Sequence, residues 1–195
     1  MGVGLSEPFL ELYSSRDFVD SIEADWMPWL LDGLELGDDV VDLVAGPGPT
    51  LPLLRASGRR VTAAQAVPAL ASHVAQRFAD DPTVDVVDAD PTELPFPDGR
   101  FSAATAVLWL HHVPSMAEQD QALAELVRVL RPGGVLAGLN AIDGPHFRRL
   151  NTDGSCVPID PLTFAERLRR AGFVDVSLTV WSFVRFTARA PGASR

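Results

Sequence analysis

Residues 39–48, Asp-Val-Val-Asp-Leu-Val-Ala-Gly-Pro-Gly, constrain this chain more than any other stretch. Val40, Val41, Leu43 and Val44 form a near-continuous apolar run, the pattern of a central parallel strand covered on both faces. Gly46 and Gly48 follow at once, and glycine lets the backbone turn tightly and approach a ligand closely. A helix is predicted over residues 50–57. A strand, a glycine turn and a helix N-terminus in that order build a ligand site at the C-terminal edge of an open α/β sheet. The alternative reading of the same stretch is a plain strand-to-helix turn.

The rest of the chain repeats this alternation. Residues 6–36 read as helix in two pieces, with Asp17 placed to cap the second. Phe18, Ile22, Trp26, Trp29, Leu30 and Gly33 then fall on one face, and Pro28 interrupts it. Further strands are predicted over 60–64, 83–87, 101–110 and 135–141, with helices over 68–79 and 116–130. Arg131-Pro132-Gly133-Gly134 is a stop signal for the second of these helices. Residues 143–158 form a long Gly/Pro/Asn-containing connection of the kind that carries function. A helix over 161–171, closed by Gly172, and two alternating strands over 174–180 and 183–188 complete the chain. Strands alternating with helices predict a doubly wound sheet. The expected layout is an N-terminal helical lid over 1–36 and one α/β domain over 37–195.

Composition narrows the partners. The net charge is −10 and every basic residue is Arg, without a basic stripe, so nucleic acid is not an expected ligand. No segment is long and apolar enough to span a membrane, and no early apolar run carries a basic flank, so the expected compartment is the cytoplasm. Cys156 is the single cysteine, which excludes an internal disulfide, and no Cys or His pair has metal-ligand spacing.

Four phrases in order resemble the class I S-adenosylmethionine-dependent methyltransferases over nearly the full length. They are residues 40–48, the loop from Asp90 to Phe101, Leu110-His-His-Val113, and Leu130-Arg-Pro-Gly-Gly-Val135. The resemblance implies a Rossmann-like fold with a seven-stranded mixed sheet and helices on both faces. It also implies that Asp42, Gly46, Gly48, the residue at Gln65 and Asp90 surround the cofactor. A dinucleotide-binding domain matches less well, because Leu51 stands where its third glycine belongs.

Four positions depart from the family pattern: Val67 replaces a commonly polar residue, Pro91 removes a backbone donor after Asp90, and two departures weigh more. Val44 replaces the first glycine of the loop, adding a β-branched side chain where positive φ is expected. Gln65 replaces the Asp or Glu that accepts both ribose hydroxyls, and Gln offers one acceptor oxygen and no charge. Lost charge-assisted bonds of about 1.5–3 kcal/mol predict a weakened site, so no cofactor is expected.

What chemistry remains is largely apolar. Trp109 ends the fourth strand, Phe9, Tyr13, Trp26 and Met27 come from the lid, Phe147 and Leu150 from the long connection, and Asn140 from the fifth strand. Together they predict a pocket for a greasy small molecule. His112 is a candidate general base, and His112 and Asn140 are candidate donors to a substrate carbonyl. For each of these residues ordinary core packing is the competing role. The expected function is a cofactor-independent cyclase or pericyclase of natural-product biosynthesis, folding a polyketide-like chain by shape, with Trp109, Tyr13, Asn140 and His112 as its catalytic set. The alternatives are a small-molecule methyltransferase using S-adenosylmethionine and a non-catalytic binding pseudoenzyme. A homodimer is left open.

Overall fold

The computed structural model describes residues 6–56 and 58–193. A single sheet orders its strands 3-2-1-4-5-7-6. These are β1 (Asp39–Leu43), β2 (Arg60–Gln65), β3 (Val84–Asp88), β4 (Phe101–Val107), β5 (Leu130–Ala141), β6 (Val174–Val180) and β7 (Phe183–Arg189). The first five run parallel, and β7 lies antiparallel to both β5 and β6. Every residue of β1 is buried, as its apolar run requires of a strand at the centre of a covered sheet.

Helices α1 (Glu7–Ser14), α2 (Arg16–Ser21) and α3 (Met27–Leu31) precede the sheet; α4 (Leu51–Arg55) and α5 (Pro68–Arg77) pack on the β2–β3 side. Helices α6 (Met116–Val129) and α8 (Pro161–Ala171) pack together beside β5 and β6, and α7 (Pro145–Leu150) sits in the long connection. Ser115 caps α6, its hydroxyl accepting from the Glu118 amide at 3.1 Å and donating to the Glu118 carboxylate at 2.6 Å. Gly172 closes α8 at φ +111°, a conformation glycine adopts without strain.

The structure corrects several local expectations. Ser15, not Asp17, is the N-cap of α2, and it makes no side-chain capping bond. The helix after the glycine turn ends at Arg55, while Ser57, its expected last residue, and residues 1–5 of the expected lid lie outside the described residues. Arg131-Pro132-Gly133-Gly134 falls inside β5, which leaves α6 directly at Leu130; a register shift against β4 absorbs the irregular residues. Most consequential is a π turn over Ile22–Trp26, just before Pro28. Proline lacks an N–H and strains the preceding turn, so the helix widens there. The widening moves the buried stripe from Ile22 to Met27 and Leu30, leaving Trp26 half-buried and Trp29 at 38% exposure, stacked on Trp181.

Candidate functional site

The glycine turn stands at the C-terminal end of β1, with Gly46 at φ +61° and Gly48 at φ +74°. Asp42 clamps its ends. The Thr50 hydroxyl, at the start of α4, donates to one carboxylate oxygen and the Thr105 hydroxyl, on β4, to the other, both at 2.5 Å. Burial pushes the Asp42 carboxyl up to about 6 against these two bonds. Gln65 is committed to the same turn. Its amide nitrogen donates to the carbonyls of Val44 at 3.2 Å and Gly46 at 3.1 Å, and its oxygen accepts from the Val67 amide at 3.0 Å. The Arg77 guanidinium adds a bond to the Pro47 carbonyl at 3.0 Å.

Val44 does not disturb the turn as its side chain predicted. The positive-φ residues other than glycine, among those described, are Leu108 and Asp175. The Val44 amide extends the parallel ladder to the Ala64 carbonyl at 3.0 Å, and its side chain packs beneath the turn, facing Gly48. What covers Gly46 is Tyr13. A Cβ placed on Gly46 would stand 3.1 Å from the Cβ of Tyr13 and 3.2 Å from its ring. A small cavity of about 10 Å³ beside the turn is bounded by Tyr13, Phe18, Ile22, Ala45, Pro49, Thr50, Val107 and Leu108.

The Tyr13 hydroxyl is the hub of a buried polar cluster. It lies 3.1 Å from the Leu108 carbonyl, 2.9 Å from His112 Nε2 and 3.3 Å from His111 Nε2. The outer partners orient the protons. Asn140 spends its amide nitrogen on the Ala106 carbonyl at 3.1 Å, so its oxygen accepts from His111 Nδ1 at 3.2 Å. His111 Nε2 therefore carries a lone pair. Cys156 Sγ stands 3.2 Å from His112 Nδ1, and burial raises the thiol to about 11, so it donates there and His112 Nε2–H faces Tyr13. Burial lowers His111 to about 4 and holds His112 well below its ordinary value. All members of the cluster are uncharged at neutral pH.

Beside this cluster lies a cavity of about 630 Å³ between α1, α7 and the start of β7. Of the residues expected to line it, Phe9, Tyr13, Trp26, Phe147 and Leu150 do so, joined by Phe18, Leu108, His111 and Phe183. Trp109, Met27, Asn140 and His112 are not on its wall. Each exclusion has a cause. Leu108 takes φ +51°, which turns the chain after β4 so that Leu108 and His111, rather than Trp109, face the space. The π turn carries Met27 into the core, at 1% exposure. Asn140 backs His111, and His112 sits behind Tyr13 against Cys156. Gln119 went unread in the sequence. Fully buried, it donates to the Leu110 and Val157 carbonyls at 3.1 and 2.9 Å, tying the histidine turn to the long connection.

Asp90 is exposed and accepts from the amide and hydroxyl of Thr92 at 2.8 and 2.7 Å. The loop it opens is held by the Arg128 guanidinium on the carbonyls of Leu94 and Phe96. Among the described residues no cluster of His, Cys, Asp and Glu could hold a metal, and no helix is long and apolar enough to cross a membrane.

Residues 41–138 match a protein family described as Methyltransferase domain. A demethylmenaquinone methyltransferase of Clavibacter sepedonicus is 41% identical over 98 residues, 50% of this chain and 39% of that protein. The chain thus spans about half or less of the length of such curated relatives. Among solved structures, a protein of Pyrococcus horikoshii OT3 aligns with a TM-score of 0.78 at 18% identity, covering 96% of this chain and all of that one. The [4+2]-cyclase SpnF aligns at 0.70 and 21% identity, covering 87% of this chain and 82% of that one. At such identities these two likenesses concern the fold.

The family match and the methyltransferase relatives overturn the expectation that no cofactor is used. That expectation treated Val44 and Gln65 as losses. In the structure Val44 lies under the turn and Gln65 braces it, so neither removes the backbone cradle. The bare Cα of Gly46, in left-handed conformation, is a surface that a Cβ would fill and on which the Tyr13 side chain now rests. Gly46 and Gly48 are the residues whose backbone would hold the cofactor.

Proposed function

This chain belongs to the class I S-adenosylmethionine-dependent methyltransferase superfamily, and from that premise we propose that it methylates a largely apolar small molecule bearing an acidic hydroxyl. The observation that carries this reading is the 630 Å³ cavity, apolar on most of its wall, with a buried polar corner at Tyr13 and His111 and further polar groups at Asp143, His146 and Ser182. Tyr13, Phe18 and Leu108 line both this cavity and the small cavity beside the glycine turn, so substrate and cofactor would meet across that shared wall.

When bound, the cofactor supplies an electrophilic methyl group. The chain's part is to position and dehydrate the acceptor. Phe9, Trp26, Phe147 and Leu150 hold the apolar body and exclude water, and orientation alone can lower such a barrier by up to about 7–11 kcal/mol. His111 Nε2, unprotonated in the folded protein, accepts the substrate hydroxyl proton as the acceptor atom gains the methyl group. Tyr13, His112 and Asn140 set the histidine's tautomer and placement. The relatives' names point to a demethylmenaquinone-like compound as the first substrate to try. On this reading the partner is a small molecule, in the cytoplasm, rather than nucleic acid or a membrane.

The cyclase reading stands second, since the likeness to a [4+2]-cyclase is one of fold. One assay separates the readings: purified protein, S-adenosylmethionine with a labelled methyl group, and demethylmenaquinone with simpler hydroxylated aromatics as acceptors. Label in the product is the expected result. Conversion of a polyene with the cofactor omitted would overturn methyl transfer in favour of cyclisation. Cofactor binding without turnover of any acceptor would leave a binding protein.

A further inference from the structure

We infer that Tyr13 is an interlock: one aromatic side chain closes the cofactor cradle and masks the histidine lone pair, so that cofactor entry unmasks His111. This rests on the methyltransferase reading and adds an order of events to it.

Three observations converge on this residue. The Tyr13 side chain lies on the bare face of Gly46, within 3.1 Å of where a Cβ would stand, so nothing else can rest on that face while it is there. The cavity between Tyr13 and the turn residues Ala45, Pro49 and Thr50 holds about 10 Å³, room for a single water at most. The same side chain ends in a hydroxyl beside His111 Nε2, His112 Nε2 and the Leu108 carbonyl. Tyr13 is thus held in the cradle by its hydroxyl, which lies against the unprotonated Nε2 of His111 on the cavity wall. Displacing the ring from Gly46 must also pull the hydroxyl from the histidines. One motion opens the cradle and frees Nε2 for a substrate hydroxyl.

The element carrying Tyr13 is suited to such a motion. Helix α1 is 8 residues long and ends at Ser15 in extended conformation, joined to α2 without a side-chain cap at either helix's start. Its buried anchors are Phe9 and Tyr13 themselves. A short helix secured by two side chains opens at less cost than the sheet beneath it. The closed state then competes with the cofactor, and the apparent affinity is reduced by the fraction of protein that is open.

The test uses the full chain, S-adenosylhomocysteine as the probe, and two readouts that need no substrate. Calorimetry compares the wild type with Tyr13→Phe, which keeps the ring but loses the hydroxyl's partners, and with Tyr13→Ala, which empties the cradle. Thermal melting confirms that each variant is folded. Losing one or two buried hydrogen bonds from the closed state predicts tighter binding by about 5- to 30-fold in Tyr13→Phe. In wild type, imidazole resonances of His111 and His112 should shift on adding the probe and match those of probe-free Tyr13→Ala. Equal affinity in wild type and Tyr13→Phe, with histidine resonances unmoved on binding, would overturn the interlock while leaving the methyltransferase reading intact. Binding by Tyr13→Ala but not by wild type would support it in its tightest form. Binding by neither would overturn the cofactor assignment and the interlock with it.

Discussion

Asp42 and His111 are buried ionisable groups whose shifts oppose one another. His111 falls from 6.5 to about 4 on folding, so the unfolded chain holds the extra proton between those values. Its contribution to stability is complete above pH 6.5 and is lost as the pH falls through that window. Asp42 rises from 3.8 to about 6, so the folded chain holds the extra proton, and its contribution is present at low pH and lost as the pH rises. Each shift is worth about 3 kcal/mol, and the two nearly cancel between pH 4 and 6.5. Asp42→Asn removes one side of the balance. Urea midpoints at pH 7 and pH 4.5 should then separate further in the variant than in wild type; parallel curves would show that Asp42 keeps an ordinary carboxylate. The same placement makes a kinetic statement. A base that titrates near 4 leaves kcat/KM level from pH 8 down to about 5, whereas an ordinary histidine loses activity below 6.5. His111→Ala should cost about a hundredfold or more in turnover. His112→Ala, removing a residue behind Tyr13, should cost distinctly less. The reverse order would place the base on His112.

At the scale of elements, the strands were readable in the sequence because the central ones are apolar runs and the last two alternate, and Gly172 marked a helix end by chemistry that any sequence shows; Ser115, which caps α6, was not read. The lid helices were not readable in detail. An apolar stripe counted at spacings of three and four assumes 3.6 residues per turn, and the π turn before Pro28 inserts an extra residue into that count. Trp29 and Met27 exchanged places for this reason. Trp109 was misplaced by a comparable step: the strand was carried to Leu110, three residues beyond the end of β4 and past the left-handed Leu108. Gly138 shows how tightly the strands themselves are specified. It faces Phe186 across the β5–β7 pair, and a Cβ built on it would run into that ring. The ring is pinned from the other side by Phe164 of α8, edge-on at 5.0 Å. Gly138→Ala should therefore destabilise by about 1–3 kcal/mol, as overpacking does. Adding Phe186→Leu should recover part of the loss, so that a double-mutant cycle is non-additive. Additive costs would mean that the backbone yields instead of the ring.

Taken as a whole molecule, the sheet divides its work between its two edges. Everything that bears on a ligand stands at the C-terminal edge of the parallel strands: the glycine turn, the Tyr13 cluster and the cavity. The sequence located that edge through residues 39–48 but not its occupant, because nothing local marks a lid tyrosine as lying on a glycine 33 positions away. The opposite edge is held by charge. Asp39, at 0% exposure, starts β1 and meets the guanidinium groups of Arg100, Arg60 and Arg131, the last two at 3.8 and 3.4 Å. Those arginines belong to β2, the start of β4 and the irregular opening of β5, so one carboxylate ties four strands at their N-terminal ends. Ser102 completes the knot, its hydroxyl accepting from the Asp39 amide at 3.1 Å and lying 2.7 Å from the Leu36 carbonyl. The arginine side chains are 39–67% exposed, so they keep much of their hydration when the carboxylate is neutralised. Asp39→Asn should accordingly lower stability by about 1–3 kcal/mol, less than a fully buried pair would lose, and more so at low salt than at high. Because this knot lies at the far end of β1 from Gly46, the affinity for S-adenosylhomocysteine at a temperature where both proteins are folded should be unchanged. A variant that melts earlier but binds equally well is the expected result. A parallel loss of affinity would mean that the two edges of the sheet are coupled through β1, and that the glycine turn owes its shape to the charges beneath it.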